Sequence, residues 1–248
     1  MRAPQRLAHI AGLLYLVMAI CGGFAEIVRV TVYQAGDAAT TARNVAANAG
    51  LVRASVVADL LAVPLGLLTA MALYRLLKHV NANAARAMVV FLAVAAAMMA
   101  LNLTHQLQAL QVSETAYTGG LGAQGSDALV LLMFDLHHNG YLMTQVFFGL
   151  WLLPMGYLVY RSGMIPRVIG VLLMVGCLGY LVDTFARFTA PDLGATLSPF
   201  AVTPAAVAEV SMLLWLLVKG VRGRGAPARD VPPTVPGEVE PSGRLSVA

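Results

Sequence analysis

The chain has 248 residues, of which 59% are hydrophobic and 11% charged, against about 45–50% and about 25% in a soluble domain. A mean hydropathy of +0.76, spread over several long apolar runs, excludes a water-soluble protein and also a soluble domain on a single anchor. The net charge of +4 does not point to nucleic acid, because the basic residues flank the apolar runs.

Crossing about 30 Å of hydrocarbon takes about 20 largely apolar residues at about 1.5 Å each. Six segments meet this: 7–28, 54–77, 87–110, 140–160, 166–186 and 201–218. Backbone groups in lipid must pair within their own segment, and no ten-residue alternation suggests a barrel. The expected fold class is therefore all-α: a polytopic membrane protein with six transmembrane helices in one domain, residues 1–218, followed by a tail, 219–248.

Arg2 and Arg6 precede the first span. This segment also has the shape of a secretory signal peptide, with a basic start, an apolar stretch and Gly23-Phe24-Ala25. Its long apolar core, and Glu26 directly after the cut, favour a retained helix; cleavage would leave five spans. In the loop 29–53, Gly36-Asp37-Ala38-Ala39-Thr40 places Asp37 or Thr40 as the cap of a short helix running through Ala49. Pro64 and Pro154 lie inside the second and fourth spans, where each removes one ladder hydrogen bond without ending the helix. In the loop 111–139, a turn at Gly119, Gly120, Gly122 and Gly125 precedes Ser126, the expected cap of a further helix beginning near Asp127 and leading into the fourth span.

Orientation follows the Lys and Arg near the span ends. Arg2, Arg6, Arg75, Lys78, Arg86, Arg161, Arg167, Lys219, Arg222, Arg224 and Arg229 all fall on one side. The other side has Arg29, Arg43 and Arg187, offset by Asp37, Glu114, Asp127 and Asp192. Both termini are expected in the cytoplasm, and the protein in a bacterial inner membrane. After the sixth span, five prolines and many charges leave too little apolar surface to offset ordering entropy, so a disordered tail is expected. Its basic start, Lys219, Arg222, Arg224 and Arg229, suits anionic lipid at about 1 kcal/mol per charge, or serves as a topology determinant alone.

Several strings occur together in a fixed order: Gly12-Leu13-Leu14-Tyr15-Leu16, Gly36-Asp37-Ala38-Ala39, Asp135-Leu136-His137-His138-Asn139-Gly140-Tyr141, Ser162-Gly163-Met164-Ile165-Pro166-Arg167 and Gly179-Tyr180-Leu181-Val182-Asp183-Thr184-Phe185-Ala186-Arg187-Phe188. With these the chain resembles the bacterial membrane family known as domain of unknown function 4386, over about residues 6–218. The resemblance implies a fold type. It carries no activity, substrate, cofactor or catalytic residue.

An ionisable group inside a span costs about 2.5–3.5 kcal/mol at the helix centre, so each is a functional candidate. Glu26, Asp59, His105, Asp135, His137, His138, Asp183 and Glu209 are all expected in the outer half of the bilayer or at its outer face. The inner half has none, which points to a shared polar chamber open to the outside. Helical spacing puts Asp59, Ala62, Gly66 and Ala70 on one face, Asn102, His105, Gln106 and Ala109 on another, and Gly176, Gly179, Asp183 and Arg187 on a third. Asp183 and Arg187 form an i,i+4 pair in the favourable order, which makes Arg187 the ninth member of the candidate polar cluster.

Three readings follow. In the first, the cluster binds or moves a small molecule or protons, with Asp59 and Glu209 as the protonatable groups. In the second, His105, Asp135, His137 or His138 hold a zinc or iron ion in a membrane-embedded enzyme, although no HExxH occurs and adjacent histidines on a helix point about 100° apart. In the third, the protein is structural or regulatory and the polar groups trim helix ends. Cys21 and Cys177 lie in separate apolar runs and read as buried free thiols. No phosphate-cradling loop is present, and Ser55, Ser162 and Ser211 have no nucleophile setting.

Overall fold

The computed structural model describes residues 3–114 and 118–221. Arg2, Arg222, Arg224 and Arg229, and with them nearly all of the expected tail, lie outside the described residues. Among those described there are seven helices and no strand: α1 (Ala3–Val32), α2 (Ala38–Ala47), α3 (Ala49–Leu77), α4 (Ala82–Glu114), α5 (Thr118–Ser162), α6 (Arg167–Thr189) and α7 (Pro191–Val218). All but α2 are long and apolar enough to cross a membrane. Large apolar side chains such as Ile27, Leu101, Leu178 and Phe200 point outward and are exposed, as lipid-facing surfaces require. The protein is an all-α, multi-pass membrane protein.

The six long helices form a closed ring. Each packs on its neighbour in the order α1, α3, α4, α5, α6, α7, and α7 returns to α1. The two described chain ends meet at one end of the bundle. There the Gln5 side chain donates to the Lys219 carbonyl (3.0 Å) and accepts from the Val221 amide (3.1 Å), while His9 Nδ1 bonds the Leu217 carbonyl (3.0 Å). Gly12 lets the α1 and α7 backbones touch, since a Cβ there would sit 2.9 Å from the Leu217 nitrogen. On the next side of the ring, a Cβ on Gly176 would lie 2.8 Å from Ala205 Cα, and one on Gly179 would collide with the Ala201 carbonyl. The small-residue face expected on the fifth span is the α6–α7 contact.

The chain-end half of the ring is filled by side chains including Leu73, Met88, Trp151, Met155, Leu173 and Met212. A second, smaller core of Val32, Val45, Val52, Leu110, Val130 and Phe134 ties α2 to the far ends of the long helices. Asp37 caps α2 as expected, its carboxylate accepting from the Thr40 amide at 2.9 Å. Pro64 and Pro154 are accommodated within continuous helices.

The structure corrects the expected loop at 111–139. Helix α4 runs on to Glu114, and the helix expected near Asp127 is present but starts earlier, at Thr118, and runs into the fourth span, so that Asp135, His137 and His138 are helical as expected. The glycine turn reduces to one break at Gly122, whose φ of 68° and ψ of 176° favour glycine. Ser126 caps nothing: its hydroxyl donates back to the Gly122 carbonyl at 2.9 Å. The apolar-run criterion stops where hydrocarbon stops, but these helices continue because α2 and the smaller core cover them. Likewise α7 starts at Pro191, earlier than the sixth apolar run, with proline in the first turn where its missing N–H is harmless.

Candidate functional site

Beyond the main core the ring holds two chambers. A deep chamber of about 450 Å³ is floored by Tyr15 and Trp151 and rises between α1, α3, α4, α5, α6 and α7 to Glu26, Arg29 and Asp59. From Tyr15 to Arg29 is about 21 Å along α1 at 1.5 Å per residue. A second chamber of about 600 Å³ continues toward the α2 end, bordered by Tyr33, His137, His138, Gln145, Asp183 and Arg187. Glu26, Arg29, Tyr141, Tyr180 and Ala206 border both chambers and mark the waist where the two adjoin.

Arg29 organises the waist. Its guanidinium bonds Glu26 Oε2 through Nε (3.0 Å) and Nη2 (2.9 Å), and pairs through Nη1 with Asp59 Oδ2. Arg29 is 8% exposed and Asp59 4%, so two ions removed from water neutralise each other, and the more exposed Glu26 shares the cation. Below, Glu209 on α7 accepts from both phenols that flank it, Tyr15 at 2.7 Å and Tyr180 at 3.0 Å. Above, Asp183 accepts from Gln145 Nε2 at 2.7 Å and pairs with Arg187 Nε at 3.2 Å, one turn along α6. The expected i,i+4 pair is formed, with a helix–helix hydrogen bond added.

Seven of the nine candidates border the chambers: Glu26, Asp59 and Glu209 the deep one, and Glu26, His137, His138, Asp183 and Arg187 the second. His105 and Asp135 border neither. Asp135 turns to Tyr33, which donates to it at 2.6 Å and stacks on Phe134 at 6.0 Å between centroids. Burial first, and then the Asp135 contact, push the Tyr33 phenol above its ordinary pKa, so it stays a hydrogen-bond donor. His105 bonds through Nδ1 to Asn102 Oδ1 at 3.0 Å. Asn102 Nδ2 donates to the His137 carbonyl (2.8 Å), and His137 Nδ1 donates to the Asn102 carbonyl (3.2 Å), a reciprocal clasp between α4 and α5. Gly140 makes room for it, because a Cβ there would strike the Asn102 amide. His137 is 2% exposed and its Nε2 has no partner among the described residues.

The four metal-ligand candidates are not assembled. His138 lies against the Tyr33 ring (6.0 Å between centroids), Asp135 is held by Tyr33, and His137 and His105 are engaged with Asn102. The adjacent histidines diverge to different neighbours, as helical geometry requires. Among the described residues no three His, Cys, Asp or Glu side chains are placed to share an ion. Cys21 and Cys177 are free thiols, Cys177 buried and Cys21 partly so.

Sequence reasoning missed Arg29 as a site residue, counting it only as a charge near a span end. Glu26 three residues earlier was the available signal, since i,i+3 partners share a helix face. It also gave no site role to Tyr15, Tyr141 or Tyr180, all three of which line the deep chamber.

Residues 10–220 match the family described as domain of unknown function (DUF4386). The chain belongs to that family. The match spans all six membrane helices and every residue of both chambers, and the family's description states no activity. A protein of Archaeoglobus fulgidus described as uncharacterized is 29% identical over 168 residues, covering 67% of this chain and 83% of its own length. No solved structure matches.

Proposed function

We propose that this protein binds a small molecule in the two adjoining chambers, entering from the outer face of a bacterial cytoplasmic membrane. The observation that carries this reading is convergence. Carboxylates from α1, α3, α6 and α7 line two adjoining chambers that share Glu26, Arg29, Tyr141, Tyr180 and Ala206, rather than pointing to separate headgroup surfaces. Groups that cost free energy in a membrane are concentrated where a cavity makes them reachable. Trimming of helix ends offers no reason for Glu209, held by two phenols deep in the ring, to face an empty volume.

The outward direction rests on charge. Among the described residues, Arg6, Arg75, Lys78, Arg86, Arg161, Arg167 and Lys219 cluster at the chain-end side, which the positive-inside tendency assigns to the cytoplasm. Both termini then lie in the cytoplasm, with Lys219 and the basic residues that follow it set against anionic lipid.

The test is thiol labelling in intact cells, in a Cys21→Ala/Cys177→Ala background. Ser198→Cys in the second chamber and Gly22→Cys in the deep one are expected to react with a membrane-impermeant reagent added outside, and Leu152→Cys in the filled half is not. Added water-soluble small molecules are screened for protection of Gly22→Cys, and protection separates a binding chamber from a water-filled void. Reaction only after lysis overturns the outward opening; reaction without protection by any compound counts against binding.

A further inference from the structure

We infer that the occupant of the deep chamber is an organic cation with an apolar body, a tertiary or quaternary ammonium compound, its charge near Glu209 and its body among the surrounding rings. This rests on the binding reading above and specifies its ligand class.

The chamber's charge is unbalanced. Its charged lining is Glu26, Asp59 and Glu209 against Arg29 alone. Arg29 is fully engaged by Glu26 and Asp59. Glu209 has no cation among the described residues; its two oxygens take neutral phenol hydroxyls from opposite sides. The second chamber does not change this, since Asp183 there is matched by Arg187. An anion entering the deep chamber would face three carboxylates with no free cation, while a neutral ligand would leave Glu209 without a counter-charge.

The walls favour an organic cation over an inorganic one. Tyr15, Tyr141, Phe148, Trp151 and Tyr180 line the space, with Tyr15 edge-on to Trp151 at 6.1 Å and Tyr141 tilted against Phe148 at 6.5 Å. Aromatic faces attract a soft, weakly hydrated cation by about 0.5–2 kcal/mol per ring, most for Trp and when desolvated. A small hard cation needs six or more oxygen ligands to replace its water. The remaining walls, from Met18, Gly66, Leu92 and Leu213, supply none. Gly22 and Gly23 leave the α1 side open, with nothing within 4 Å of where a Cβ would stand, and that space suits the apolar arms.

The experiment uses the full chain in nanodiscs with Trp215→Phe, so that Trp151 on the chamber wall is the remaining tryptophan. Three probes of similar shape are titrated against its emission: benzyltrimethylammonium, its neutral carbon isostere neopentylbenzene, and the anion phenylmethanesulfonate, each referred to empty nanodiscs. The cation is expected to bind saturably and more tightly than the other two. Glu209→Gln, which keeps a hydrogen-bonding group between the two phenols, is expected to weaken cation binding about tenfold or more and to leave the isostere unchanged. Gly22→Leu, filling the open side, is expected to abolish binding of the cation. Preference for the anion or the isostere in the wild-type comparison, which needs no substitution at Glu209, overturns the cation assignment and leaves a binding chamber standing. Saturable binding of none of the three also overturns it, and thiol protection of Gly22→Cys then judges the binding reading separately.

Discussion

Replacing Arg29 with Gln removes the guanidinium that serves Glu26 and Asp59 together. The two carboxylates differ in what they lose. The Asp59 side chain is 5% exposed, and Arg29 is its hydrogen-bond partner among the described residues, whereas the Glu26 side chain is 53% exposed. Stranding the buried partner of an ion pair costs about 3–5 kcal/mol, and the exposed one adds no more than about 1 kcal/mol. Asp59→Asn is milder, about 1–3 kcal/mol, because Arg29 keeps both of its bonds to Glu26. The double variant strands no buried charge, so its loss falls short of the sum of the two single losses by at least about 1 kcal/mol. Arg53→Gln is the control. Its pair with Glu114 has a half-exposed arginine, and its loss stays below about 1 kcal/mol. Reversible unfolding in mixed detergent micelles, followed by tryptophan emission, measures all four. Additivity of Arg29→Gln and Asp59→Asn within about 0.5 kcal/mol, or equal losses for Arg29→Gln and Arg53→Gln, refutes a buried, coupled pair at the waist.

Gly179→Ala drives a Cβ into the Ala201 carbonyl, and the shift of α7 needed to admit it costs about 1–3 kcal/mol; Gly23→Ala, with open space at that point, is neutral or gains up to about 1 kcal/mol of helix propensity. Equal thermal stabilities of the two variants show that α6 and α7 are not in backbone contact there. The Thr40 amide, bonded to the exposed Asp37, holds that carboxyl below the ordinary carboxylate range. Because the folded pKa is the depressed one, the stabilisation is present above the unfolded value and disappears as pH falls through the folded one. Amide exchange in α2 of Asp37→Ala is therefore faster than wild type near neutrality and converges with it in strong acid, and a pH-independent difference rejects the cap. Gln106 is fully buried, with neither end of its amide partnered among the described residues. Gln106→Leu keeps much of the volume and removes that desolvation, so stability is unchanged or rises by about 1–3 kcal/mol; a loss above about 1 kcal/mol shows that the amide has a partner in the folded protein.

The six spans are legible because hydrocarbon imposes a length and an apolar composition that few other structures share. The same criterion is blind past the bilayer, which is why the extensions of α4, α5 and α7 escape it although they are as helical as the rest. Ring closure is also hidden: apolar spans specify that helices cross, and the neighbours are set by details such as Gly12 against Leu217. For the site, depth in an apolar run identifies costly groups but leaves the helix rotation open, and about 100° per residue separates a chamber wall from a packing face. His105 and Asp135 fall on the wrong side of that division, while Asn102, which links His105 to His137, proves to be the joint. Partnership is the deeper gap. Counted singly, Arg29 is a topology charge and Glu209 one of several acids; paired, Arg29 is consumed by Glu26 and Asp59, and Glu209 is left facing two phenols. The sign of the chamber follows from those pairings, which no span-by-span reading contains, and it is on that sign that the proposed ligand class rests.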